Sequence, residues 1–73
     1  MAETVAQAIR LAAEALANVS PTARGDAEHL MALALGTARS AMLVRSMDAP
    51  APPGFAALVA RRAAHEPMAY ILG

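Results

Sequence analysis

Apolar side chains recur at steps of three and four residues between Thr4 and Asn18. This period is typical of an amphipathic α-helix. Thr4 and Gln7 are spaced for a capping box, in which the hydroxyl accepts a backbone N–H and the amide returns to the cap residue. The sequence therefore predicts a first helix with one apolar stripe, formed by Val5, Ala8, Ile9, Ala12 and Leu16.

A second helix is predicted directly after Ser20-Pro21. Ser20 is suited to be its N-cap, and Pro21 suits the first helical position, where its missing N–H costs nothing. Arg24 and Glu28 are spaced for an i,i+4 ion pair, and Gly36 can take a left-handed C-cap conformation. The predicted apolar stripe comprises Ala23, Ala27, Leu30, Met31 and Ala34.

A short third helix is predicted over 37–47, with Thr37 as its cap. Residues 48–54 then contain three prolines and a glycine, which rule out a continuous helix and predict a surface loop. A proline-rich docking peptide is the functional alternative for this loop, although prolines and a glycine that only break the helix explain the same residues.

A fourth helix is predicted from about Pro53 to Ala64, with Phe55, Leu58 and Val59 facing inward. Glu66-Pro67 should end it, and residues 67–73 are apolar enough for one more helical turn that stops at Gly73. The fold class is therefore all-α: a small orthogonal-to-antiparallel bundle of four helices with a short fifth helical turn, forming one domain over residues 1–73.

Composition and charge narrow the range of partners. The 73 residues carry six basic and six acidic side chains and no cysteine, so neither a charge-driven contact with nucleic acid nor a disulfide framework is expected. We found no export signal and no apolar run long enough to span a membrane. We therefore expect a cytoplasmic protein without a direct nucleic-acid or membrane partner.

The titratable residues do not form a catalytic pattern. His29 and His65 lack a second ligand at helical spacing and are interpreted as partly exposed helix residues. Asp26 and Glu28 are two residues apart, so they diverge on a helix and are expected to be surface or interhelix partners. We therefore predict no catalytic, cofactor-binding or metal site in this chain.

Four methionines have two interpretations. Flexible thioether side chains can form an adaptable binding surface, but at helical spacing they more often fill gaps in a core. We favour the core for the four residues, Met31, Met42, Met47 and Met68.

The densest polar cluster beside an aromatic lies near residue 73. Arg61, Arg62, Glu66 and Tyr70 are candidate contacts with a partner protein or with a second domain, because arginine and tyrosine are frequent anchors of interfaces. The simpler interpretation is that the arginines complement the helix dipole and that Glu66-Pro67 stops the helix.

The segment 61–73 resembles the sequence at which one family joins its two domains. It runs from Arg61-Arg62 through Glu66-Pro67 and Tyr70 to Gly73. It is similar to the end of the helical N-terminal domain in the protein-(glutamine-N5) methyltransferases of peptide chain release factors, the HemK/PrmC family. Residues 20–31, which include Arg24 and the triplet Asp26-Ala27-Glu28, also resemble the second helix of that family. The two segments and their separation cover almost the whole chain.

The resemblance implies that the chain is the non-catalytic N-terminal part of a longer, two-domain enzyme. In that family a downstream domain binds S-adenosylmethionine and presents an Asn-Pro-Pro-Tyr segment to the substrate glutamine, so no catalytic residue is carried over to residues 1–73. The implied partners are the catalytic domain and a peptide chain release factor, whose Gly-Gly-Gln loop is modified. The implied task is to orient that substrate by remote binding energy.

Two alternatives remain. The related methyltransferase of a large-subunit ribosomal protein has a similar helical domain, but its junction usually departs around the positions of Glu66 and Gly73, which favours the release-factor branch. A free-standing helical interaction module would show the same helix pattern.

Overall fold

The computed structural model describes residues 3–73, and in this range the regular structure is entirely helical. The helices are α1 (Val5–Leu16), α2 (Ala23–Leu35), α3 (Arg39–Arg45), α4 (Phe55–Ala63) and α5 (Met68–Leu72). The prediction of an all-α bundle of four helices with a short fifth is thereby confirmed. Met1 and Ala2, which the single-domain prediction also covers, lie outside the described residues.

The start of α1 is closed by its own cap and by the proline-rich loop. Thr4 Oγ1 accepts the amide of Gln7 at 3.1 Å, and the Gln7 side chain accepts the amide of Thr4 at 2.9 Å, so the predicted capping box is present. The amides of Val5 and Ala6 donate to the carbonyls of residues 49 and 47. The first-turn N–H groups, which a helix leaves without internal partners, are therefore all paired.

The predicted start of α2 is wrong by two residues. The helix begins at Ala23 behind Thr22, and Ser20 is not its N-cap. Ser20 Oγ instead accepts the amide of Thr22 at 3.1 Å, and Pro21 lies in the preceding turn. The Thr22 hydroxyl donates to Asp26 Oδ1 at 3.1 Å, which places a carboxylate at the positive end of the helix dipole.

The C-terminus of α2 has the predicted left-handed Gly36, with a φ of 70°. The amides of Gly36 and Thr37 donate to the carbonyls of Leu33 and Ala32, each at 3.1 Å, which is the Schellman arrangement. Thr37 therefore closes α2. The prediction that Thr37 caps α3 is wrong. α3 follows Ala38 without a side-chain cap and is shorter than predicted at both ends.

A second Schellman motif ends α4. The amides of His65 and Glu66 donate to the carbonyls of Arg62 and Arg61, at 2.9 and 3.2 Å. His65 has a φ of 70°, so a histidine occupies the left-handed position that Gly36 takes after α2. The prediction that His65 lies within a helix is wrong, and α4 begins at Phe55, two residues later than predicted.

All five helices contribute to one core. α1 and α2 form its centre, and α3, α4 and α5 each insert one buried side chain, namely Met42, Phe55 and Ile71. The Cα radius of gyration is 11.1 Å, as expected for a compact chain of this length. The larger fully buried side chains are Val5, Ile9, Leu16, Leu30, Met31 and Met42.

Several residues that were predicted to face inward lie at the edge of this core. Leu58 and Val59 are only partly buried, and so are Met47 and Met68. The interpretation of the methionines as core residues therefore holds fully for Met31 and Met42, whereas the other two pack against its margin.

Candidate interaction surface

Three of the four candidate contact residues meet where α4 turns into α5, because Arg61 and Arg62 both bond to Glu66, and the fourth, Tyr70, lies in α5. The turn between the helices is held by the Schellman motif of α4 and by Pro67, whose φ of −60° and ψ of 142° start α5. We define the α4–α5 surface as Arg61, His65, Glu66, Tyr70 and Leu72.

Arg61 and Glu66 form a two-point ion pair across the turn. Arg61 Nε donates to Glu66 Oε1 at 3.0 Å, and Arg61 Nη2 donates to Glu66 Oε2. The hydrogen bond from Arg61 lowers the pKa of Glu66, and the same bond raises the pKa of Arg61. Both side chains remain accessible to solvent, so the pair can meet a partner while it stabilises the turn only slightly.

Arg62 points inward and has different surroundings from Arg61. Its side chain is only 16% exposed. Its Nε donates to Asp26 Oδ2 at 3.1 Å, and its Nη1 donates to the carbonyl of Glu66 at 3.2 Å. Arg62 therefore connects α2 with the turn between α4 and α5.

The partner of Arg62, Asp26, is 7% exposed. Burial raises its pKa, but hydrogen bonds from Ser20, Arg62 and Thr22, together with the charge of Arg62, more than offset this effect and hold the pKa below its ordinary value. Asp26 is therefore ionised at neutral pH. Of the two expectations for Asp26, a surface residue or a partner between helices, the second is confirmed, because Asp26 in α2 pairs with Arg62 in α4.

Glu28, two residues further along α2, holds a second ion cluster on another side of the helix. It accepts Arg24 Nε at 2.8 Å, the predicted i,i+4 pair, and Arg39 Nη2 at 2.6 Å. The hydrogen bond from Arg24 lowers the pKa of Glu28, burial opposes this effect, and Arg39 lowers it further. Because Arg39 opens α3, Glu28 joins α3 to α2.

The apolar part of the α4–α5 surface belongs to α5. Tyr70 is 76% exposed and Leu72 is 40% exposed, whereas Ile71 between them is buried. Tyrosine and arginine are among the residue types most often found as interface anchors. Sequence reasoning did not select Leu72, and its spacing from Tyr70 carries no such signal, because residues two apart diverge on a helix.

A second apolar feature lies between α1 and α4. It is an open groove of about 250 Å³, and Leu11 on its rim is 51% exposed. Sequence reasoning missed the groove because Leu11 falls outside the apolar stripe of α1. The lining residues are Glu3, Ala8, Leu11, Ala12, Ala15, Phe55, Ala56 and Val59.

Within residues 3–73, no group of three or more histidine, cysteine, aspartate or glutamate side chains is arranged to hold a metal ion. No helix in this range combines the length and apolarity that crossing a bilayer requires. His29 is exposed on α2, as expected.

Comparison with known families decides which kind of domain this is. The family model of the PrmC N-terminal domain matches residues 7–73. The chain belongs to this family. Searches of curated proteins and of solved structures gave no match.

Membership in the PrmC N-terminal domain family confirms the resemblance inferred from the segments 20–31 and 61–73. It places the chain in a PrmC-type methyltransferase, as the N-terminal domain. Arg61, Arg62, Glu66 and Tyr70 all lie within the matched range. Their role as contacts with a partner or a second domain stays a prediction.

Proposed function

We propose that this chain is the non-catalytic, substrate-orienting domain of an S-adenosylmethionine-dependent methyltransferase. The enzyme transfers a methyl group to N5 of the glutamine in the Gly-Gly-Gln loop of peptide chain release factors. The observation that carries the proposal is the match of residues 7–73 to the PrmC N-terminal domain. The cofactor and the catalytic residues belong to the domain that follows in such enzymes.

The junction segment supports the release-factor substrate over the ribosomal-protein alternative. Glu66 and Gly73 are the two positions at which the resemblance separates these branches. Glu66 pairs with Arg61 across the turn, and Gly73 has a φ of 96°, a conformation that favours glycine.

The surfaces of the domain suit an orienting role. A non-catalytic domain raises the rate when its binding energy holds the reacting group of a large substrate in place. The α4–α5 surface and the α1–α4 groove both leave apolar side chains open to a partner, Tyr70 and Leu11 foremost. We assign the α4–α5 surface to the contact with the catalytic domain, because it adjoins residue 73.

A binding titration tests the substrate assignment. The 73-residue chain, labelled at its N-terminus, is titrated with a release factor, with the ribosomal-protein substrate of the related enzyme, and with an unrelated protein of similar size. We expect saturable binding to the release factor alone. Equal binding to the unrelated protein would indicate a general interaction module, and binding only to the ribosomal protein would move the chain to the other branch.

The reading frame beyond the codon for Gly73 provides an independent check. We expect it to encode a glycine-rich loop after a strand, followed by Asn-Pro-Pro-Tyr. A stop codon at that point would contradict the two-domain enzyme.

A further inference from the structure

The short helix α5 depends on other parts of the chain for its position. It has five residues, whereas isolated helices of fewer than about 12 residues are marginal in water. Ile71 is the one residue of this helix that is buried, and α5 packs against α4 and α2. Additional contacts at its start are therefore needed to define its direction.

Arg62 supplies such a contact. Its Nη1 donates to the carbonyl of Glu66 at 3.2 Å, and the next residue, Pro67, is the N-cap of α5. Its Nε is bound at the same time to Asp26 Oδ2 at 3.1 Å. One guanidinium group thus joins the first turn of α2 to the start of α5.

The other end of this connection is itself fixed. Thr22 donates its hydroxyl to Asp26 Oδ1 at 3.1 Å, and α2 lies at the centre of the core with Ala27, Leu30 and Met31 fully buried. Hydrogen bonds to charged groups are stronger than neutral ones. Asp26 therefore lies in the central helix of the core and is held there by a hydrogen bond from Thr22.

We propose that Arg62 is a positioning residue that sets the orientation of α5. Through α5 it sets the place of Tyr70 and Leu72, the exposed apolar side chains of the α4–α5 surface, without touching the partner itself. This assignment departs from the expectation that Arg62 is a direct contact, because its side chain is only 16% exposed and is already bound to Asp26 and to the carbonyl of Glu66. Its consequence for catalysis rests on the proposed function.

Hydrogen exchange tests the proposal on the 73-residue chain. The variant Arg62→Met keeps the apolar stem and removes the donors. We expect the amides of Tyr70 and Ile71, which donate to the carbonyl of Pro67, to exchange at least about tenfold faster, the factor that the loss of such a hydrogen bond implies. The amides of α1 should keep their rates.

Two further variants keep the test decisive. The double variant Asp26→Asn with Arg62→Met leaves no unpaired buried charge, so it should fold and show the same local change at α5. The matched control Arg45→Met removes an exposed arginine from the end of α3 and should leave α5 unchanged. Uniform acceleration across α1 and α5, or none in the double variant, would overturn the proposal.

Tyr70 offers a second measurement, because the chain has one tyrosine and no tryptophan. Its fluorescence anisotropy decay therefore contains the motion of α5 as a fast component beside the slower tumbling of the whole domain. We expect a larger fast component in Arg62→Met and partial recovery in Arg62→Lys, which keeps the charge but loses the fork geometry. Unchanged decay in Arg62→Met would contradict a positioning role.

Kinetics of the full-length methyltransferase separate this inference from the proposed function. We expect Arg62→Met to raise KM for an intact release factor about tenfold or more and to leave the rate with a short Gly-Gly-Gln peptide unchanged, since the peptide is too small to use the domain. If removal of the whole domain leaves release-factor methylation unchanged, the proposed function fails. If only Arg62→Met is without effect, the positioning role fails.

Discussion

Asp26 in the first turn of α2 accepts a hydrogen bond from Nε of Arg62 in α4 at 3.1 Å, across 36 positions of the sequence. Both side chains are largely shielded from water, and each has a further hydrogen-bond partner. The pair therefore ties the centre of the bundle to the turn that starts α5.

Removing one member of this pair should destabilise the domain strongly. Asp26→Asn leaves the guanidinium of Arg62 without its counter-charge, and a buried pair broken in this way costs about 2–3 kcal/mol of the free energy of unfolding. Urea unfolding followed by circular dichroism measures this loss.

The double variant Asp26→Asn with Arg62→Met is the control for this prediction. It should recover part of the loss, because no lone charge remains. A loss in the double variant equal to the sum of the losses in Asp26→Asn and in Arg62→Met would show that the two residues are not energetically coupled.

The domain should lose stability in acid. The pKa values of Asp26 and Glu28 are lowered in the folded state, so the unfolded chain binds protons at a higher pH than the folded chain does. Their contribution is complete above the unfolded values, near pH 4, and is lost as the pH falls through the lower folded values. We expect the free energy of unfolding to be level from pH 5 to 7 and to fall below about pH 4.

The variant Asp26→Asn serves as the comparison for the pH series. It lacks one of the two carboxylates, so its stability should decline less steeply between pH 4 and pH 2.5. A decline as steep as that of the parent chain would assign the acid sensitivity to other groups.

The left-handed conformation of His65 predicts that one substitution stabilises the domain. The left-handed conformation destabilises a residue with a Cβ by about 1–2 kcal/mol. Glycine avoids this strain, but it loses more backbone entropy on folding, which offsets part of the gain. His65→Gly should therefore raise the free energy of unfolding by about 0.5–1 kcal/mol, which corresponds to an increase in Tm of roughly 2–8 °C for a domain of this size.

Gly36 provides the matched control, because it occupies the equivalent position after α2 with the same φ of 70°. An added Cβ there meets no atom within 4 Å, so Gly36→Ala should cost about 1 kcal/mol through backbone strain alone. If His65→Gly lowered Tm, the turn after α4 would owe its stability to the histidine side chain.

Local signals in the sequence predicted the helices well. The capping box of Thr4 and Gln7 and the left-handed Gly36 depend on neighbours within four residues, so both could be identified without a structure. Ser20 and Thr37 carried equally good local signals, but their predicted capping roles were wrong. In the fold, Ser20 pairs with the amide of Thr22, and the amide of Thr37 closes α2.

The contacts that build the candidate surface could not be predicted in this way. The bond between Asp26 and Arg62 requires α2 and α4 to cross at one place, and spacing along one helix does not encode that crossing. Arg61 and Arg62 are adjacent and chemically identical, yet the side chain of Arg61 is exposed to solvent and that of Arg62 is largely buried. The pairing of residues 47–51 with the start of α1 was missed for the same reason.

We propose that this PrmC-type domain orients a large substrate, while the catalytic domain carries out the methyl transfer. The most direct measurement compares methylation of an intact release factor and of a short Gly-Gly-Gln peptide by the full enzyme and by the enzyme without residues 1–73. We expect kcat/KM for the intact factor to fall by about 100-fold or more in the shortened enzyme, with the peptide rate unchanged. Equal losses for both substrates, or no loss for the intact factor, would rule out an orienting role for the domain.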